Sequence, residues 1–399
     1  MAAPTPFSDF LASLSDPGVL ERYQLDPRKL IRSCGLTEAQ EVALLSGNQG
    51  AIRMEGVREL ETAGLSPIVS DKIPERGDRI SEPTTFNTNT YNTNNIDIHT
   101  FDTTTYNTTH DNTTQVTTKT DWRADSGIRI ADSIRYFSDF TPRQSGALVV
   151  VGSGIKPLSD MTSDTRSQIS RADVVLYCVA DPATEREIHR LNPQSNSLYG
   201  LYGNGKPRLD TYQEMVDAIM TEVRNGRNVC AVFYGHPGIF AWSPHIAIAT
   251  ARAEGYRAEM HPGVSAQDCL VADLGVDPST CGMQTMDATE FLVHARTLDP
   301  FSHVLIWQAE CVGDDGFNFG GYSKRNFPLL VQRLLMFYPD DHDLVVYDAS
   351  TVHLLPPRIL RTTVGTIQAA DLTGVSTLYL PPVGTPPVDD HMVELLQVQ

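Results

Sequence analysis

No apolar run in the 399-residue sequence is long enough to cross a bilayer, and the start, "MAAPTPFSDF", has no basic-then-apolar stretch. Neither a membrane partner nor a secretory signal is therefore expected, and a cytoplasmic location is. Positive charge is scarce: 31 Lys and Arg face 49 Asp and Glu, for a formal net charge of −18. Neutralising phosphates requires a basic surface, so nucleic acid is excluded as the expected partner. Cysteine is sparse and unpaired. Cys34, Cys178, Cys230, Cys269, Cys281 and Cys311 contain no C-x-x-C spacing, and Cys230 lies within the apolar "VCAVFYG". They read as reduced core residues, with no disulfide frame and no metal site. What remains, 41% hydrophobic and 20% charged, describes a globular chain with room for two or more domains.

Three textures follow one another. Residues 1–63 carry short amphipathic units separated by Asp-Pro, Gly-Leu-Thr and Gly-Asn breaks, with Thr37 as a capping residue before "EAQEVALL". Helices this short are marginal singly, so a small all-α domain that bundles or docks is expected. Residues 64–145 form a linker. Within it Phe86, Tyr91, Ile96, Phe101 and Tyr106 recur every five residues, usually followed by Asn or Asp, and Val116 returns to the register. Thr and aromatics favour extended chain, while Asn and scarce aliphatics oppose a packed core, so the pentads read as a flexible or weakly β-structured spacer. The Asn-x-Thr triplets at Asn107 and Asn112 read as accidents of that composition.

From Gly146 apolar runs alternate with helical patterns, which predicts α/β layers with mainly parallel strands. "ALVVVGSG", "DVVLYCVA", "NVCAVFYG" and "YRAEMHPG" mark a first lobe over 146–262. "SHVLIWQ", "DLVVYDAS" and "VSTLYLPP" mark a second over 263–385, before a tail at 386–399. The turn "VVVGSGI" offers Gly152 and Gly154 but no third glycine, and Asp173 stands at a strand start. A nicotinamide site is thereby disfavoured, whereas close backbone approach at the turn is retained. Two further loops, "YGHPGIF" and "HPGVSAQ", follow strands directly, where open α/β sheets place ligands. In "LYGNGKPRLDTYQEM", Asp210 reads as the opening of a helix whose buried stripe is Met215, Ile219 and Val223. Arg208 and Tyr212 continue that stripe backwards, and an arginine there needs an anionic or strongly polar partner. A nearby carboxylate would be the ordinary one.

Together "VVVGSGI", "GHPGIF", "PGVSAQDCLVADLG" and "GVSTLYLPP" resemble the tetrapyrrole methylase fold. The resemblance implies two α/β lobes with S-adenosylmethionine in the cleft between them. "CVADPATE", "RLDTYQEM", "VFYGHPGIF" and "EGYRAEMHPGVSAQDCL" are similar to the borosin peptide α-N-methyltransferases, over about 147 to 397. Residues 7–60 resemble the small borosin binding domain of separate precursors, in which the peptide to be modified follows the helices. No core peptide is expected after the closing "MVELLQVQ", and two versions stay open: the pentads or their flanks are the peptide to be modified, or the pentads are a spacer and a separate peptide is the substrate.

The resemblance implies roles for particular residues. Tyr212 and Arg208 are the expected catalytic pair, Tyr202 helps to hold the amide, and Tyr234 hydrogen-bonds in the same pocket. As a base Tyr212 would be helped by Arg208 lowering its phenol pKa, and Arg208 would stabilise oxygen charge on an imidate. The cofactor is expected against His236, Ile239 and Phe240, then Ser265 and Ala266, then Gly374, Val375 and Ser376. His236 stands where many tetrapyrrole methylases carry an acid, which argues against a porphyrinoid substrate. The expected function is S-adenosylmethionine-dependent methylation of peptide backbone nitrogens by a homodimer, on the chain's own residues or on a separate peptide. A tetrapyrrole-type small-molecule methyltransferase and a non-catalytic, repeat-bearing scaffold are the alternatives.

Overall fold

A computed structural model describes residues 6–46, 49–63, 145–179, 181–318 and 320–397. The pentads, and the linker reading with them, lie outside the described residues. None of the described helices is long and apolar enough to cross a membrane.

Five helices open the chain: α1 (Pro6–Ser13), α2 (Pro17–Leu25), α3 (Pro27–Ser33), α4 (Glu38–Ser46) and α5 (Gln49–Ala63). Their starts are written locally. Asp16 accepts from the backbone N–H groups of Gly18 and Val19, and Asp26 from that of Lys29, each just before a proline whose fixed φ suits the first turn. Thr37 and Gln40 form a reciprocal capping pair at α4, as expected. At α1 the start is capped from afar, because the Glu59 carboxylate on α5 accepts from the backbone N–H groups of Phe7 and Ser8 at 2.6 and 2.8 Å. Phe7, Phe10, Leu11 and Leu14 sit at helical spacing and are buried. Their cluster also contains Ala183 and Val352, so the bundle docks on the α/β part as well as on itself.

The first lobe is a five-stranded sheet ordered β3-β2-β4-β1-β5, from β1 (Ala147–Gly152), β2 (Val174–Cys178), β3 (Ser195–Ser197), β4 (Asn228–Phe233) and β5 (Arg257–Met260). Every pairing in it is parallel. Both faces are covered, which is why these strands are continuous apolar runs. Leu148 and Val150 of β1 face a cluster with α8 (Arg208–Arg224) and α9 (Trp242–Ala253), while Val151 faces Ile169 of α6 (Ser163–Arg171) and Ile188 of α7 (Pro182–Leu191). The stripe of α8 is as expected, with Met215, Ile219 and Val223 buried, but the helix begins at Arg208, two residues before Asp210. Pro207 precedes it and is tied into another strand-like segment, which sets the start earlier than side-chain capping would.

The second lobe corrects the expectation of mainly parallel strands. Its sheet is ordered β6-β7-β10-β8-β9, from β6 (Met283–Asp287), β7 (His303–Trp307), β8 (Asp343–Asp348), β9 (Arg358–Thr363) and β10 (Thr377–Leu380). Only β6 and β7 pair in parallel; the other neighbours are antiparallel. Apolar runs register burial on two faces and are blind to direction, so β7, β8 and β10 are legible whereas the half-polar β6 and β9 are not. The remaining described helices are α10 (Ala266–Leu274), α11 (Pro278–Cys281), α12 (Ala288–Val293), α13 (Phe327–Leu334) and α14 (Asp390–Leu396).

The seam between bundle and first lobe runs past Gly56 of α5, where a Cβ would lie 2.8 Å from Cγ of Pro182. Replacing a helical glycine by alanine gains about 1 kcal/mol of helix propensity, but overpacking a tight seam costs about 1–3 kcal/mol. Gly56→Val adds bulk and β-branching, so the clash wins. Amide exchange in α1 and α5 is expected to quicken at least several-fold while β1 and β4 keep wild-type protection; unchanged exchange in α1 and α5 would contradict the docking.

Candidate active site

The loops after β1, β4 and β5 meet through backbone atoms. A Cβ on Gly152 would lie 2.2 Å from the Gly235 carbonyl oxygen and 3.2 Å from Cα of Gly263. Gly154, with φ at +75°, exchanges hydrogen bonds with Gly235 at 3.2 and 3.0 Å. The Gly-Ser-Gly turn therefore clasps one loop to another, and its glycines answer to protein backbone.

The expected cofactor residues occupy this rim in different ways. His236 accepts from the Gly238 N–H through Nδ1 at 2.9 Å, which leaves the proton of the neutral ring on Nε2. Ile239 is half-buried, and Phe240 takes a left-handed φ of 51° with 45% of its surface exposed. The Phe240 ring stands 5.1 Å from that of Trp307 at the end of β7, so this loop reaches the second lobe. Ser265 caps α10 in a reciprocal box with Asp268, and Ala266 is the first residue of that helix. Ser376 donates to Asp348 Oδ1 at 2.6 Å. Both serine hydroxyls are thus committed within the protein, as are the backbone N–H groups, that of Ser265 to Asp268 Oδ2 at 2.7 Å and that of Ser376 to the Thr373 carbonyl oxygen at 3.1 Å. Gly374 and the 66%-exposed Val375 open onto a cleft of about 460 Å³ together with Tyr202 and Tyr234.

Tyr202, Arg208 and Tyr212 are brought together as expected. Tyr202 follows a 3-10 turn (Tyr199–Leu201), and its ring lies 6.4 Å edge-on from that of Tyr212. Tyr212 stacks at 6.5 Å on Trp242, and Tyr202 packs at 4.3 Å against Phe317 from the second lobe. Segment 205–208 pairs with 315–317 through N–H···O bonds from Gly205 to Phe317, Phe317 to Lys206 and Arg208 to Asp315, at 2.8, 2.9 and 2.8 Å. That ladder carries Arg208 across to the second lobe.

There the ordinary expectation of a carboxylate partner fails. The Arg208 guanidinium donates to Gln308 Oε1 at 3.2 Å, to Cys311 Sγ at 3.4 Å and to the Asp314 carbonyl oxygen, and lies 5.8 Å from the ring centre of Tyr322. These hydrogen-bond partners are uncharged; the half-buried Asp287 carboxylate feels the Arg208 charge through space, and so do the phenols beside it. The expected net lowering of the Tyr212 pKa is also corrected. Burial raises it, and the Arg208 charge and a hydrogen bond from Tyr202 oppose that rise without reversing it. Tyr202 is raised too, chiefly by burial. At neutral pH both are phenols.

Sequence reasoning missed Tyr322, Phe317, Glu310, Gln308 and Cys311. They lie in the stretch between β7 and α13, where polar residues and glycines carry no periodic signal; Tyr199, three residues before Tyr202, was the one neighbour within reach of a motif.

Two α/β lobes, with the loops at the carboxyl ends of the first sheet meeting the second lobe over an aromatic cleft, define a two-lobed α/β protein with its ligand site between the lobes. The chain belongs to the tetrapyrrole (corrin/porphyrin) methylases, whose family pattern matches residues 147–368. It is 43% identical over 261 residues to a methyltransferase/ribosomally synthesized cyclic peptide dendrothelin A precursor of Dendrothele bispora, covering 64% of this chain and 63% of that one. It is 44% identical over 246 residues to the corresponding omphalotin A precursor of Omphalotus olearius, covering 61% of this chain and 59% of that one. The chain thus spans about three fifths of the length of these relatives. Among solved structures it is similar to a uroporphyrin-III-C-methyltransferase of Thermus thermophilus, with 17% identity, a TM-score of 0.43, and coverage of 60% of this chain and 93% of that one.

Arg208→Met removes the charge that opposes the rise at Tyr212. The Tyr212 titration should therefore move to still higher pH, read as tyrosinate absorbance with Tyr212→Phe subtracted. A movement to lower pH would show that Arg208 does not act on this phenol.

Proposed function

We propose that the chain transfers methyl groups from S-adenosylmethionine to backbone amide nitrogens of a ribosomal peptide. The observation that carries the proposal is the half-buried Arg208–Tyr212–Tyr202 group at the cleft, whose one full charge is hydrogen-bonded by neutral partners. The names borne by the relatives, which join methyltransferase to cyclic-peptide precursor in one chain, point the same way.

The chemistry explains why such a group is needed. An amide nitrogen shares its lone pair with the carbonyl and is a poor nucleophile until its proton departs. S-adenosylmethionine, when bound, supplies an electrophilic sulfonium methyl. His236, Ile239, Phe240, Gly374 and Val375 would hold it by side chain, face or open backbone, and Ser265, Ala266 and Ser376 would shape the wall it packs against. The exposed apolar surfaces of Phe240 and Val375 fit a nucleoside with a thioether arm. Arg208 stabilises negative charge growing on the amide oxygen as the N–H weakens. Tyr212 gives up its own proton to solvent and, as the phenolate, takes the amide proton, and Tyr202 hydrogen-bonds to the Tyr212 oxygen, which favours that anionic form. Tyr234, at the same cleft, orients the acceptor. A raised pKa makes the phenolate a minor species at neutral pH, so its population limits the proton removal that precedes methyl attack.

The substrate assigned is the chain's own segment between the helical domain and the first lobe, which holds the pentads. Their polar composition favours a second reading, in which they are a spacer and a separate peptide enters the cleft. Homodimerisation, with one subunit serving the other's peptide, belongs to this proposal, as does a cytoplasmic setting, which the six free thiols fit.

Tyr212→Phe should lower the rate of methyl addition at least about 100-fold while binding of S-adenosylhomocysteine is retained. In the wild type the rate should climb with pH through the neutral range, since a raised pKa leaves the base protonated there. Mass spectrometry of the purified chain, locating methyl increments between residues 80 and 125, reads both. Full methylation by Tyr212→Phe overturns the roles. Turnover of the donor without any methylated peptide would favour the small-molecule reading, and no turnover at all the scaffold.

A further inference from the structure

The cleft contains a charged group that the roles above leave unused. Glu310 lies in the 3-10 turn Ala309–Cys311 that follows β7, and only 7% of it is exposed. One carboxylate oxygen, Oε1, meets Lys324 Nζ at 3.1 Å, and Lys324 also donates to the Leu372 carbonyl oxygen at 2.6 Å. The other, Oε2, is buried and has no hydrogen-bond partner among the described residues. A buried acceptor left unmatched is destabilising, more so when charged, so the position is unfavourable until a donor arrives. Oε2 faces Gly374, where a Cβ would stand 3.0 Å from it. Gly374 has no positive φ, so its missing side chain answers to space and not to backbone conformation. Any larger residue there would cover the carboxylate. Glu310, Gly374, Tyr202 and Tyr234 line the same cleft.

The kind of donor follows from the charges. Lys324 already balances the carboxylate, so what Oε2 lacks is a hydrogen-bond donor and not a second cation. Tyr199, Tyr202, Phe317 and Tyr322 supply apolar surface around it; of the donor rim only Gly374 and Val375 reach this space, whereas His236, Ile239, Phe240, Ser265 and Ala266 do not line it. A neutral N–H flanked by apolar side chains is what a peptide backbone presents. We propose that Glu310 binds the methyl acceptor by taking a hydrogen bond from a peptide N–H next to the reacting amide, with Gly374 keeping the way to Oε2 open. The inference rests on the peptide-methylation reading. It adds a second anchor that sets which nitrogen faces the methyl donor.

Glu310→Gln keeps the shape and removes the charge, and Gly374→Ala places a methyl group against Oε2 while leaving the Glu310–Lys324 pair in place. For both, the rate of methyl addition at saturating S-adenosylmethionine should fall about tenfold. In both variants the sites of methylation should spread to neighbouring residues in the mass map. In Glu310→Gln, which lies outside the residues assigned to the donor, the half-saturating donor concentration and the calorimetric Kd for S-adenosylhomocysteine should stay within about twofold. Wild-type rate and pattern in Glu310→Gln overturn the assignment and leave the peptide reading intact. Loss of S-adenosylhomocysteine binding in Glu310→Gln overturns it by placing the carboxylate on the donor side. A wild-type chain that methylates no peptide removes both readings together.

Discussion

The reach of Arg208 across the cleft is the constraint on which the site depends. Its backbone belongs to the first turn of α8 in the first lobe, while its guanidinium is held by Gln308, Cys311 and the Asp314 carbonyl of the second. A carboxylate partner would have been energetically simpler and chemically useless, because a neutralised arginine cannot stabilise charge developing on a substrate. Neutral acceptors fix the direction of the fork and leave its field intact. The ladder between 205–208 and 315–317 brings the same surfaces together, so lobe packing and electrostatics are one arrangement.

Burial and charge compete at the phenols, and burial wins at rest. Enclosure by Trp242, Phe317 and Tyr322 excludes water, which strengthens the pull of Arg208 and also raises the cost of any anion. A site of this kind suits charge that exists only briefly. Its stabilising groups are already aimed before any such charge develops, and little reorganisation is left for that moment. Glu310 follows a related logic, with one oxygen neutralised by Lys324 and the other turned to the cleft.

The helical domain is joined to the catalytic lobes by packing. Ala183 and Val352 complete its core, and Arg186 reaches Asp9 at 3.5 Å. A bundle of helices this short gains stability by burying its open side.

The first sheet was legible in the sequence because strands covered on both faces must be apolar throughout, and the helix caps because Asp, Ser and Thr act within one turn of the backbone they satisfy. The motif around Arg208 and Tyr212 likewise placed those side chains on one helical stripe. Tertiary structure alone decided the start of α8, the antiparallel pairing of the second sheet, the partners of Arg208, the upward pKa of Tyr212 and the unmatched burial of Glu310 Oε2. Each of these depends on residues outside the local pattern, about a hundred positions away for Arg208, or on the balance of burial against a neighbouring charge. Local patterns encode which face of an element is buried; they carry no record of what is packed against it.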